Sequence, residues 1–317
     1  MPVKIKLNTK ATQTILAFAS LILMIIIFSI LSPNFPTYSN MNTILLATAV
    51  NGILAVGITF IIITGGIDLS IGTVMTFCSV MCAVTITNLG FPIAVGLVVA
   101  VITGALCGFT NGALVAKLKL PPFIATLGMM NVTRGLNLII SGTKPVYLTD
   151  AEGFSDIAIK MVLGIPNGVL IFFIVAIIAA LILTKTILGR YTFAIGSNEE
   201  AARLSGINTD AWKIGIYSLS GAIFGIAGIV MASRLSSAQP ALGQGYEMDA
   251  IAAAVIGGAS LSGGEGGILG TIIGAFIITV LTNGLRILSV PQEWQMVVTG
   301  VIVIGAVYMD IARRRIK

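Results

Sequence analysis

Ten stretches of Ile, Leu, Val, Ala and Gly, most of them about as long as a bilayer is thick, leave this chain little choice of solvent. They run over 15–31, 43–64, 71–87, 93–116, 122–140, 169–184, 214–232, 250–261, 268–285 and 296–309. A hydrocarbon core of about 30 Å takes about 20 apolar residues of helix to cross. Lipid offers no partner to open backbone N–H and C=O groups, so an apolar segment of that length crosses as a helix. Charged residues make up 9% of the chain, against about 25% in soluble domains, too few to coat a water-soluble surface of this size. The expectation is an all-α membrane protein of about ten transmembrane helices, or about eight if the weaker runs do not cross. Two runs are weak. The stretch 122–140 is interrupted by Asn131 and Arg134, and 250–261 is short enough to be broken or re-entrant.

Charge sets the expected orientation. Ten crossings put both termini on one side. On that reading 13 of the 18 Lys and Arg face the cytoplasm, among them Lys4, Lys6, Lys10, Arg203 and Arg313-Arg314-Arg315, four face outside, and Arg134 lies within the membrane. This is the positive-inside pattern. It accounts for the net charge of +6 without a nucleic-acid partner. The first run is longer than a signal-peptide core, and no small-x-small cleavage site follows it, so it reads as a retained anchor. The expected layout is a cytoplasmic tail at 1–14, a single membrane domain at 15–310 and a basic tail at 311–317. A cytoplasmic loop at 185–213 and outer loops at 141–166 and 233–249 join the spans. Cys78, Cys82 and Cys107 fall in apolar stretches and read as small buried hydrophobes. With no His in the chain, a metal site is not expected.

Four polar segments interrupt the apolar text. Gly65-Gly66-Ile67-Asp68-Leu69-Ser70-Ile71-Gly72 places an acid between two spans, where a carboxylate is by default functional; the plainer reading is that Asp68 caps the next helix. Gly257-Gly258-Ala259-Ser260-Leu261-Ser262-Gly263-Gly264 shares its Gly-Gly-x-x-Leu-Ser-x-Gly spacing. Paired glycine-broken segments in two halves of a transporter point to the substrate path, though glycine-rich membrane text also matches by chance. In the third, Ser197, Asn198, Glu199, Glu200, Ala201, Ala202, Arg203, Leu204, Ser205, Gly206, Ile207 and Asn208 form a short helix, with an N-cap at Ser197 or Asn198 and a glycine stop. The fourth, 234–249, carries Ser236, Gln239, Gln244, Tyr246 and Glu247, which bond hydroxyl-rich or protein partners well.

Within the spans, Asn51, Thr59, Asn111, Thr126, Asn131, Asn137 and Asn283 are candidate path residues for an uncharged polyol, with Asp68 beside them. Neutral amides bond hydroxyls without burying charge. The alternative for each is a bond to a neighbouring helix. No G-x-x-x-x-G-K-[ST] phosphate loop and no nucleophile–base pair occur, so the chain is not expected to be an enzyme. Three transport classes remain. One is a gated path driven by a partner. Another is an ion-coupled secondary sugar carrier in which Asp68 moves a proton beside Arg134. The third is a passive channel, disfavoured by the lack of a charged stripe.

The order of motifs decides among them by resemblance. Leu31-Ser32-Pro33-Asn34-Phe35, Gly66-Ile67-Asp68-Leu69-Ser70, Phe123-Ile124-Ala125-Thr126-Leu127, Leu188-Gly189-Arg190-Tyr191, Arg203 to Asn208 and Ala232 to Gly264 follow one another almost end to end. In this order the chain resembles the permease subunits of ATP-binding-cassette importers for monosaccharides, closest to the ribose-importing branch. The resemblance implies a cytoplasmic Glu-Ala-Ala-x-x-x-Gly helix that docks on an ATPase subunit. Glu200-Ala201-Ala202 and Gly206 match that core. Ile216 falls at the spacing of the pattern's later Ile, while Ser218 and Leu219 stand where Leu-Pro is usual. It further implies a second permease copy, most simply as a homodimer, and an external sugar-binding protein. ATP and Mg are then held by the partner subunit, with no cofactor in this chain. The implied location is the bacterial cytoplasmic (inner) membrane.

Overall fold

Helix α2 (Tyr38–Ile63) is the axis of the molecule: every residue from Thr48 to Ile63 is buried. Its mix of Ile, Val, Ala and Gly is apolar all round, as a helix enclosed by others requires. The computed structural model describes residues 9–315. The expected tail residues 1–8 and 316–317 lie outside the described residues. Packed on α2 are α6 (Asn167–Lys185), α9 (Thr209–Leu235) and α11 (Ile268–Ile287), with α1 (Thr9–Leu31), α3 (Ile71–Thr87), α4 (Ile93–Ala116), α5 (Pro122–Ser141) and α12 (Gln292–Arg315) packed on those or on one another. Two short helices, α7 (Ile187–Ser197) and α8 (Glu199–Leu204), lie between α6 and α9, and α10 (Tyr246–Ile256) precedes α11. Among the described residues, seven helices are long and apolar enough to cross a membrane: α1, α2, α4, α5, α6, α9 and α11. This is a mostly helical, multi-spanning membrane architecture.

The closest helix pair is α4 with α9, and glycine spacing explains it. Gly104 and Gly108 on α4 meet Gly221 and Tyr217 of α9 backbone to backbone, and Gly225 of α9 meets Ala100. Small residues four apart on both helices let the main chains touch, the usual adhesive between helices in lipid. A polar seam joins α2 to α11: Thr59 and Thr271 share a hydrogen bond at 2.9 Å, and Asn40 and Asn283 exchange two, at 2.9 and 3.1 Å. The three cysteines are free and buried, as expected.

At one end, the 142–166 stretch folds into a small cap. Strand β1 (Val146–Tyr147) pairs with β4 (Ser237–Ala238). β2 (Met161–Val162) and β3 (Ile165–Pro166) form a hairpin. Ser233 of α9 pins the cap, its hydroxyl accepting from Ala158 N at 2.9 Å and donating to the Phe154 carbonyl at 2.8 Å. At the opposite end lie α7, α8 and the loop after α10.

Three elements depart from the hydropathy reading. Helices outrun their apolar runs where polar residues still favour helix: α9 starts at Thr209, not 214, because the Asn208 side chain accepts from Ala211 N and ends the preceding turn. The loop 185–213 holds two helices, α7 and α8, where one was expected. The run 250–261 does not cross as a helix. α10 is 11 residues long, about 16 Å at 1.5 Å per residue. It starts at Tyr246, after a non-helical stretch that brings Gly243 against Gly72 and Thr76 in the first turns of α3. It ends with Gly257 against Gly270 of α11. The expected outer loop 233–249 thus has two parts, a cap segment through Ala238 and a partly exposed stretch that brings Gly243 against α3.

Candidate functional site

Asn198, not Ser197, starts α8: its side chain accepts from Ala201 N at 2.9 Å, while Ser197 closes α7. Gly206 stops the helix in the left-handed region at φ 86°, where a side chain would be strained. Ile207 N then reaches back to the Ala202 carbonyl at 3.1 Å. One face of α8 is fixed to the bundle. Ala202 is buried, and Glu199 is held by Lys213 of α9 at 2.6 Å and by Arg203 at 3.4 Å. The other face is open: Glu200, Ala201, Ser205 and Gly206 are exposed, and Leu204 is 84% exposed. Leu204 thus stands bare on a helix that is otherwise anchored in place. Beside it opens a groove of about 560 Å³, walled by Glu200 and Leu204 on one side and by Leu120 and Pro121 of the α4–α5 turn on the other. Lys119 ties that turn to Asp210 of α9 at 2.8 Å, and Tyr191 of α7 packs edge-on against Trp212 of α9 with ring centroids 5.0 Å apart.

The candidate path residues fall into two unequal groups. Asn51, Thr59, Asp68, Asn111, Thr126, Asn137 and Asn283 are all buried. Most of them tie elements together. Thr59 bonds Thr271, and Asn283 bonds Asn40. Thr126 accepts from Leu69 N at 3.1 Å, and Asn137 donates to the Thr73 carbonyl at 3.3 Å. Asn51 Oδ1 is buried without a hydrogen-bond partner. Asn131 alone of the eight is exposed. It shares an open strip of α5 with Gly128 and Arg134, spaced three apart on one helix face.

Asp68 sits in the connection between α2 and α3, outside both helices. It does not cap α3: its Oδ1 accepts from the Ser70 amide at 2.7 Å and the Ser70 hydroxyl at 2.6 Å, closing a turn of its own. Asn111 of α4 donates to Ser70 Oγ at 3.0 Å and lies 3.4 Å from Asp68 Oδ2. Burial pushes the Asp68 carboxyl above the usual carboxylate range, against the Ser70 and Asn111 bonds, which hold it down. The cluster binds the α2–α3 connection to α4, with Thr126 adding α5. Sequence reading missed other ties of this kind. Thr133 bonds Thr73 at 2.8 Å, and Ser220 bonds the Gly57 carbonyl at 2.9 Å. A lone hydroxyl in an apolar helix carries no local mark of its partner. Of the cap-side candidates, Gln239 and Gln244 are exposed, while Tyr246 and Glu247 are half-buried where the chain runs beside α3. Ser236, in the left-handed region at φ 49°, accepts from Leu148 N at 2.9 Å. Among the described residues no cluster of metal-ligating side chains occurs.

The class of protein is shown by the family to which this sequence belongs, that of transport-system permease components. The family described as "Branched-chain amino acid transport system / permease component" matches residues 40–307, and the chain belongs to it. It is a multi-pass inner-membrane protein. Its relatives include the ribose import permease protein RbsC of Escherichia coli K12, 45% identical over 294 residues, covering 92% of this chain and 91% of the relative. RbsC of Bacillus subtilis 168 is 44% identical over the same shares. The fructose import permease protein FrcC of Rhizobium meliloti is 37% identical, covering 92% of this chain and 83% of the relative. No solved structure matches the chain.

Proposed function

We propose that this chain is the membrane permease of an ATP-driven importer that takes up a monosaccharide, ribose in the first instance, delivered by an external sugar-binding protein. The observation that carries the reading is the likeness to ribose import permeases across 92% of the chain. The open face of α8 supports it: Glu200, Ala201, Leu204 and Gly206 form the patch an ATPase groove would take, while Glu199 and Lys213 brace it from behind. ATP hydrolysis then belongs to that partner.

Ten crossings follow if α3, α12 and the broken 239–256 segment each count as one, which leaves both ends and α8 in the cytoplasm. The exposed strip Gly128, Asn131 and Arg134 on α5 supports a homodimer. A charged residue on a spanning helix is costly against lipid and faces water or protein instead. Two such strips, one from each copy, enclose a polar passage suited to a sugar. The cap, with Ser236 and Gln239, is the surface offered to the binding protein.

The test is co-purification of the ATPase with the permease, alone and as Leu204→Asp. A buried carboxylate at the centre of an interface costs about 2 kcal/mol or more, roughly thirtyfold in affinity. Loss of the ATPase with an intact permease fold supports the docking face. Retention of the ATPase by Leu204→Asp contradicts it.

A further inference from the structure

The two Gly-Gly segments that share a spacing also meet each other, and they meet beneath the docking helix. Gly264 N donates to the carbonyl of Ile63, the last residue of α2, at 2.8 Å. Gly196, the penultimate residue of α7, lies against both: a Cβ there would overlap the Ile63 carbonyl oxygen and come within 2.6 Å of Gly264 N. A Cβ on Gly263 would stand 2.6 Å from the Gly196 carbonyl and 3.0 Å from Gly65 N. A Cβ on Gly264 would stand 2.8 Å from the Ser197 hydroxyl. Three main chains therefore touch at one point, with the Ser197 hydroxyl at its edge.

Such a contact has no rotamers to absorb a shift, so movement of one segment passes to the others. What each segment leads to gives the contact its meaning. Ser197 is followed directly by Asn198, the cap of α8. Ile63 leads through Gly65 to Asp68 and the first turn of α3. Gly264 joins α10 to α11, and the stretch before α10 returns to that same turn of α3 through Gly243 and Gly72. We propose that this glycine joint carries displacement of the docking helix into the two broken segments, which makes Gly196, outside the docking helix itself, a positioning residue for ATP-driven transport. The inference rests on the docking reading of α8.

The experiment uses the whole complex of permease, ATPase and sugar-binding protein in proteoliposomes, and reads sugar transported per ATP hydrolysed. Gly196→Ala should assemble with a normal ATPase content and hydrolyse ATP, yet its transport per ATP should fall about tenfold. Gly215→Ala, the same change on α9 where nothing lies within 4 Å of a Cβ, should match the unaltered protein. A ratio for Gly196→Ala within about twofold of unaltered overturns the proposal. Should Gly196→Ala fail to assemble, Gly264→Ala decides. Its Cβ presses first on the Ser197 hydroxyl, and φ of 75° strains any side chain there, so its ratio should fall and Ser197→Gly added to it should restore part of the ratio. An unchanged ratio, or no restoration, overturns the proposal. Loss of ATPase binding in Leu204→Asp together with normal coupling in Gly196→Ala removes the joint alone; ATPase binding kept in Leu204→Asp removes the docking reading beneath it.

Discussion

The segments 65–72 and 257–264 begin alike and end differently. Each stops a helix with a glycine in the left-handed region, Gly65 at φ 79° and Gly258 at φ 96°. Each then sends an amide back five residues, Gly66 to Ile61 at 3.1 Å and Ala259 to Ala254 at 2.9 Å. The structural stops are thus one residue out of step with the shared spacing, which pairs Gly65 with Gly257. Three residues on, the spacing holds: Asp68 accepts from Ser70 N, and Ser260 accepts from Ser262 N at 3.4 Å. There the likeness ends. The first segment uses a carboxylate and reaches Asn111. The second uses a hydroxyl and spends its next glycines on close contact with Ile63, Gly65 and Ser197. A shared helix stop has been turned into a fixed anchor in one place and a backbone joint in the other.

That difference can be broken by substitution, with thermal unfolding of the purified permease in detergent as the measure. Asp68→Ala leaves the Ser70 amide, the Ser70 hydroxyl and the Asn111 amide short of an acceptor in a buried site, at a cost of about 3 kcal/mol. Asn111→Leu removes the tether to α4 and should cost about 2 kcal/mol. Gly65→Ala and Gly258→Ala should each cost about 1 kcal/mol and should agree with each other, because both force a side chain into the same backbone region. Ser260→Ala should cost less than Asp68→Ala, about 1 kcal/mol, because what it removes is an uncharged hydroxyl and not a carboxylate. If Ser260→Ala destabilises as much as Asp68→Ala, the anchor and the joint are not different kinds of structure.

Much of this was legible in the sequence, and the reasons differ by element. Apolar length marked the spans, but not their ends, because Thr209, Asp210 and Lys213 extend α9 with polar residues that pair or cap. The short helix α8 was readable through Asn198, which caps it, and Gly206, which follows it in the left-handed region. Its neighbour α7 was not, since its 11 residues mix apolar and polar side chains without a clear start. The path residues were least legible. Asn131 and Asn137 look equivalent in the text, yet six residues place them about 120° apart around a helix. One is open and the other is bonded to Thr73. Nothing local distinguishes an amide that meets sugar from one that meets a neighbouring carbonyl. The stretch 239–245 gave no sign that it turns in against α3, because what seats it is a contact between Gly243 and Gly72, distant in sequence.

In the proposed function this chain supplies a gated sugar path and a partner supplies the work. Uptake of radiolabelled ribose into proteoliposomes holding the permease and its ATPase tests it most directly. Accumulation above the outside concentration should require ATP on the α8 side and the sugar-binding protein on the cap side, and should stop when either is withheld. Accumulation driven by a proton gradient, without ATP or the ATPase, would contradict the account.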